Sequence, residues 1–244
     1  MKKWGLVVAS VVMASSAAAD VVGLRAGVSG WNGDFKGTVQ SGPEPIDLNA
    51  ELGFADENYA SAYVSFEHPI PLIPAVRLGY VGLSQDSEGV LRESFRGIAF
   101  DGATTSTLDL TQADLTAYWE LLDNVVSLDL GVQAKFVTGE FSLQGATAGG
   151  VRTTQLDIEE TLPMLYVGVG ADLPLTGLGL YASVAGTNVG DNSGLDATAK
   201  ISYDIKLLGF EAGWRELRLN FDKLDGVDAE YAVRGPFVGL NLHF

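Results

Sequence analysis

Two histidines, His68 and His243, are the whole imidazole supply of this 244-residue chain, and cysteine is absent. Acyl-transfer or general-base chemistry would have to be built on one of them, with a serine and a carboxylate at triad-like positions. Neither has such a set: His68 opens a proline-rich stretch, 68–74, and His243 is the penultimate residue. Thiolate metal sites are excluded. The segment 222–228, DKLDGVD, carries acids and a glycine but lacks the alternate-position ligands and distal glutamate of a calcium loop. The residues alone therefore predict no catalytic set, no bound metal and no cofactor. The chemistry left over is electrostatic, and its meaning depends on the elements that carry the charges.

Those elements are strands. Ten runs alternate with a period of two: Val21–Trp31, Asn58–Glu67, Ala75–Ser84, Thr107–Glu120, Val126–Thr138, Leu162–Asp172, Leu178–Thr187, Asp196–Ile205, Gly209–Asn220 and Ala229–Phe244. Thirty glycines, eleven phenylalanines and eight tyrosines fit an all-sheet chain. No long segment has a helical period. Most runs reach the roughly 9–11 residues that a tilted strand needs to cross a bilayer, and no segment after the first twenty residues is apolar enough for a helical span.

The connections fall into two classes. They are tight at 68–74, 121–125, 173–177 and 206–208, and long at 32–57, 85–106 and 139–161, with intermediate ones at 188–195 and 221–228. Short turns on one rim and longer loops on the other are the habit of outer-membrane barrels. On the apolar phase, Phe66, Trp119, Tyr203 and Phe244 fall at the short-turn ends, while Tyr80, Phe136 and Trp214 fall toward the long-loop ends. Two aromatic girdles bracketing small aliphatic residues match the two interfaces of a membrane. A soluble barrel with an aromatic core is the competing reading.

The opposite phase then carries Arg25, Glu67, Arg77, Asp109, Asp114, Glu120, Asp129, Lys135, Asp172, Lys200, Glu211 and Arg215. With lipid outside, these line the lumen. A ten-stranded barrel is only slightly wider than the eight-stranded kind that side chains can fill, so opposite charges are expected to pair across it. The favoured expectation is a filled lumen; a narrow, charge-selective path is the alternative.

At the amino end, Lys2 and Lys3, the apolar run 4–13 and the small residues 17–19 read as a secretory signal peptide over residues 1–19. Loss of its two lysines takes the formal charge from −16 to −18. Such acidity excludes nucleic acid as a partner. At the other end, Val238, Leu240, Leu242 and Phe244 form an alternating last strand closed by an aromatic residue, similar to the assembly signal of bacterial outer-membrane barrels.

Omptin-like proteases also have ten strands, and they and the lipid A-modifying barrel enzymes place an essential histidine near the outer rim. His68 and His243 both belong to the opposite end. The stretches 66–74, 118–124, 128–131, 162–166 and 235–244 resemble a family of uncharacterised proteobacterial outer-membrane β-barrel proteins. The resemblance implies insertion by the barrel assembly machinery after transit with periplasmic chaperones, in contact with outer-membrane lipid and lipopolysaccharide. It brings no substrate or catalytic residue.

The expectation is thus a signal peptide followed by a single domain, 20–244, folded as an all-β, ten-stranded antiparallel transmembrane barrel, with eight or twelve strands as alternatives. Its expected role is a non-enzymatic structural or surface-interaction scaffold in the outer membrane. A narrow channel for ions or small solutes comes second and a lipid-modifying enzyme third. No residue pattern marks an oligomeric state.

Overall fold

The computed structural model describes residues 22–70, 72–190 and 192–244. The signal peptide 1–19 and Val21 lie outside the described residues. In chain order the strands are β1 (Gly23–Gln40), β2 (Ile46–Asp47), β3 (Glu57–Glu67), β4 (Ala75–Leu91), β5 (Ser94–Phe95), β6 (Ile98–Ala99), β7 (Gly102–Asp123), β8 (Val126–Thr147), β9 (Gly150–Leu173), β10 (Leu178–Val189), β11 (Asn192–Ile205), β12 (Leu208–Leu224) and β13 (Val227–His243). Ten of them are long. Each long strand pairs antiparallel with the next, and β13 pairs with β1, closing the ring. The seam is fastened at its lower end, where Leu24 and Phe244 exchange backbone hydrogen bonds of 3.1 and 2.8 Å. Closure leaves ten strands, so the eight- and twelve-stranded alternatives fall away.

Side-chain polarity inverts partway up each long strand. On β8, Leu130, Val132 and Phe136 face outward and are exposed, while Asp129, Gln133 and Lys135 point inward and are buried. Beyond Phe136 the same parity holds but the chemistry swaps: Val137, Phe141 and Leu143 are buried inside, and Thr138, Glu140 and Gln144 are outside. On β1, Val28 faces out below, and Trp31, Phe35 and Val39 are buried inside above. The physical cause is the change of solvent. Where lipid surrounds the barrel, apolar side chains belong outside; where water does, they belong inside.

The inversion corrects the reading of the outer segments as loops. β1 continues to Gln40, β4 to Leu91 and β8 to Thr147, while β7 begins at Gly102 and β9 at Gly150. The segment 139–161 is a strand hairpin turning on 148–149, and 221–228 turns on Asp225-Gly226, both with positive φ (48° and 80°) as a tight hairpin turn requires. An apolar phase followed up from the membrane disappears at the crossover, although the strand goes on.

The outer half is a hydrophobic core. Segments 41–56 and 92–101 fold over the opening and bury Ile46, Leu48, Leu52, Phe54, Phe95 and Phe100. Phe54 packs against Phe35 (5.7 Å between ring centroids) and Phe141 (6.3 Å), and Phe95 meets Phe141 edge-on at 5.7 Å. Polar ties hold the cover. Asn49 Nδ2 donates to the carbonyls of Phe35 and Phe54 at 2.7 and 2.8 Å, and the amide of Val90 donates to Glu51 at 2.9 Å. Fully burying each such side chain stabilises by roughly 1.5–3 kcal/mol, so the plug is held together chiefly by apolar burial.

Candidate functional site

Below the plug, the lumen is polar and arranged in layers. The uppermost is an ion cluster contributed by four strands. Lys135 (β8) lies 2.7 Å from Asp114 (β7) and 2.9 Å from Asp196 (β11), and Arg215 (β12) reaches Asp196 at 2.7 Å and Asp114 at 4.0 Å. Lys135 is 0% exposed. Its burial is tolerable because both carboxylates hydrogen-bond its ammonium, and an isolated charge there would face a desolvation penalty of several kcal/mol. Arg215 also lies over the Trp31 ring at 5.2 Å, where the cluster meets the apolar plug.

The middle layer is built on tyrosines. Tyr63 donates to Glu211 at 2.7 Å, Lys200 to the same oxygen at 2.7 Å, and Asn241 Nδ2 to it at 3.0 Å. The Arg77 guanidinium lies over the Tyr63 ring at 4.4 Å. Tyr166 and Tyr181 are hydrogen-bonded through their hydroxyls. Tyr63 lies across from Gly27, its register partner on β1, where an added Cβ would meet the ring Cζ at 2.8 Å. Glycine there is what lets the ring lie flat against the wall. A cavity of about 110 Å³ remains between these groups, bounded by Trp31, Phe237 and Ala185 as well as the polar side chains.

The lowest layer is the mouth on the short-turn rim, a recess of about 270 Å³ lined by Arg25, Glu67, Glu120, His68 and His243. Tyr118 donates to Glu67 at 2.8 Å, and Arg25 stands 3.9 Å from Asp204. The His68 ring is committed to its own turn: Nδ1 accepts from the amide of Ile70 at 3.2 Å and Nε2 lies 3.3 Å from the Pro74 carbonyl. Both imidazoles are thus at this end of the barrel. Among the described residues, no group of three or more His, Cys, Asp or Glu is arranged to hold a metal ion.

Most of the charges expected in the lumen have inward parity: Arg25, Glu67, Arg77, Asp114, Glu120, Asp129, Lys135, Asp172, Lys200, Glu211 and Arg215. Asp109 is the correction. It is exposed between the buried Leu108 and Leu110, so it stands on the outer, water-facing wall above the polarity crossover. The interior is also not charged throughout, since its outer half is mainly apolar, with the neutral Gln85, Ser87, Thr104 and Ser106 buried there. Phe66, Tyr80, Trp119, Phe136, Tyr203, Trp214 and Phe244 all project outward and are exposed. Phe210, directly paired with Tyr203, joins the lower girdle. Val238, Leu240 and Leu242 face outward on β13.

Sequence reasoning missed Asp196, the acid shared by two cations, and the tyrosines Tyr118, Tyr166 and Tyr181. Parity with Lys200 on the same strand would have placed Asp196 inside. The tyrosines carry no comparable mark, because an inward and an outward tyrosine both fit a membrane strand.

No protein-family model and no curated protein sequence matches the chain. Solved structures do. The outer membrane protease OmpT of Escherichia coli superposes with a TM-score of 0.55 at 12% identity, covering 95% of this chain and 99% of that one. The translocator domain of the autotransporter NalP from Neisseria meningitidis (TM-score 0.47, 13% identity, 93% and 90% covered) and the attachment invasion locus protein Ail of Yersinia pestis (0.33, 13%, 91% and 99%) are more distant. At such identities the likeness to OmpT is one of fold. The chain is an all-β, ten-stranded transmembrane barrel of the outer-membrane kind.

Proposed function

We propose that this chain is exported by way of residues 1–19, inserted into the outer membrane by the barrel assembly machinery, and works there as a closed, rigid scaffold. The observation that carries this reading is the apolar plug. Leu110, Val137, Phe141, Leu156, Leu217 and Val233, all fully or almost fully buried, fill the outer half of the barrel. An ion crossing this layer would lose its hydration and meet in exchange only a few neutral side chains, Gln85, Ser87, Thr104 and Ser106. The strand extensions carry a water-exposed collar above the outer leaflet in which acids such as Asp86, Glu88, Asp109, Glu140, Asp157 and Glu159 predominate. Its contacts are lipopolysaccharide and whatever approaches the cell surface. An OmpT-like proteolytic role draws no support from the imidazoles, which both stand at the short-turn mouth.

Planar-bilayer recording of the refolded barrel tests the reading. The expected result is a membrane without reproducible conductance steps while heat-modifiable gel mobility attests that the barrel is folded. Steady steps whose selectivity follows Arg77 or Asp129 substitution would replace the scaffold by the channel reading.

A further inference from the structure

We propose that the lumen cavity around Arg77 is a binding site for a small carboxylate that enters from the periplasmic mouth. The inference rests on the closed outer half proposed above, which leaves the short-turn mouth as the way in.

The charge balance of the cavity wall singles out Arg77. Three acids line it, Asp114, Asp196 and Glu211, and each is held by another cation: Asp114 by Lys135, Asp196 by Lys135 and Arg215, Glu211 by Lys200. Arg77 takes no part in these pairs: its guanidinium lies over the face of Tyr63 at 4.4 Å and hydrogen-bonds the Tyr166 side chain. Stacking on a ring leaves the donors at the edge of the planar fork, beyond the one engaged by Tyr166, directed at the cavity, and a fork of that shape matches a carboxylate in bidentate fashion. Lys200 Nζ, 5.1 Å from the same ring, adds a second positive charge nearby.

The size and lining of the cavity restrict the ligand further. At roughly 10–15 Å³ per water-sized group, about 110 Å³ accommodates on the order of seven to eleven heavy atoms. Ser183 and Thr198 offer hydroxyls beside the cations, while Trp31, Ala185 and Phe237 present an apolar end. A carboxylate head on a short aliphatic tail satisfies both ends. Arg25 in the mouth places a cation on the way in.

Calorimetric titration of the refolded barrel, residues 20–244, with propionate is the test, with 1-propanol as the uncharged counterpart and chloride as a competing anion. Saturable binding of propionate is expected, with none for propanol and little displacement by chloride. Arg77→Met, shown to be folded by heat-modifiable mobility, should weaken propionate roughly ten- to hundredfold, the loss of charge-assisted hydrogen bonds. Should that variant not fold, Ser183→Leu narrows the cavity while keeping Arg77, and is expected to abolish binding. Absence of saturable binding to the native barrel, equal affinity in Arg77→Met, or undiminished binding in Ser183→Leu would overturn the site. Chloride binding as tightly as propionate would overturn the carboxylate assignment. A barrel silent in bilayers that binds no propionate removes only this site, whereas a conducting barrel removes the closed lumen on which it rests.

Discussion

Replacing Lys135 with Met is expected to lower the unfolding free energy of the barrel by about 3–5 kcal/mol, the range found when one partner of a buried ion pair is deleted. Lys135 is fully buried and is the close cation of Asp114, at 2.7 Å, while Arg215 stands 4.0 Å from that acid and is already engaged with Asp196. The substitution removes a positive charge from between two carboxylates and leaves Asp114 with the Gln133 amide at 3.3 Å as its remaining near partner. Urea unfolding in detergent micelles, followed by gel mobility, measures the loss. Adding Asp114→Asn to Lys135→Met should restore part of it, because the stranded charge is then gone. A change in Lys135→Met within about 0.5 kcal/mol of zero, the level typical of surface sites, would mean that water reaches the cluster and that the plug does not seal it.

Two arginine substitutions on the outer face of β8 should part company sharply. Val132→Arg places a charge in the middle of the apolar belt and is expected to cost about 2–4 kcal/mol. Ser142→Arg, on the same strand and the same face but above Phe136, should stay within about 0.5 kcal/mol of the native barrel, because its surroundings are aqueous. Both are read by reversible unfolding in lipid bilayers, where the depth of the site matters. Equal costs at the two positions would show that β8 does not leave the membrane at Phe136, and the inversion of side-chain polarity would need another cause.

The lower half of the barrel was legible because its strands obey one rule over their whole length. Between the girdles, lipid outside and charge inside give alternation of one phase, so Ala75–Ser84 and Val126–Thr138 mark real strands. The upper half breaks that rule without breaking the strand. At Phe136 the apolar phase passes from even to odd positions, and Val137, Phe141 and Leu143 then look like stray hydrophobics in a loop. The same crossover explains Asp109, which shares an element with the inward Asp114 but not its parity. A change of phase with unchanged pleat is the signature of a strand leaving the bilayer, and a search for both phases would have found it in 139–161.

Sequence by itself marked ten candidate strands, with eight or twelve left open until the ring closed, the outward phase of the aromatic residues and the short-turn end at which the histidines stand, because each depends on alternation and turn residues within a single run or hairpin. Tertiary structure alone decided how the outer segments fold back over the opening, that Lys135 meets an acid 61 positions away, and that Arg77 lies on Tyr63 at the wall of a cavity. Local periodicity states only which way a side chain points along its own strand. Which groups meet across the lumen depends on how all ten strands are staggered when the sheet closes, and that stagger is a property of the ring as a whole.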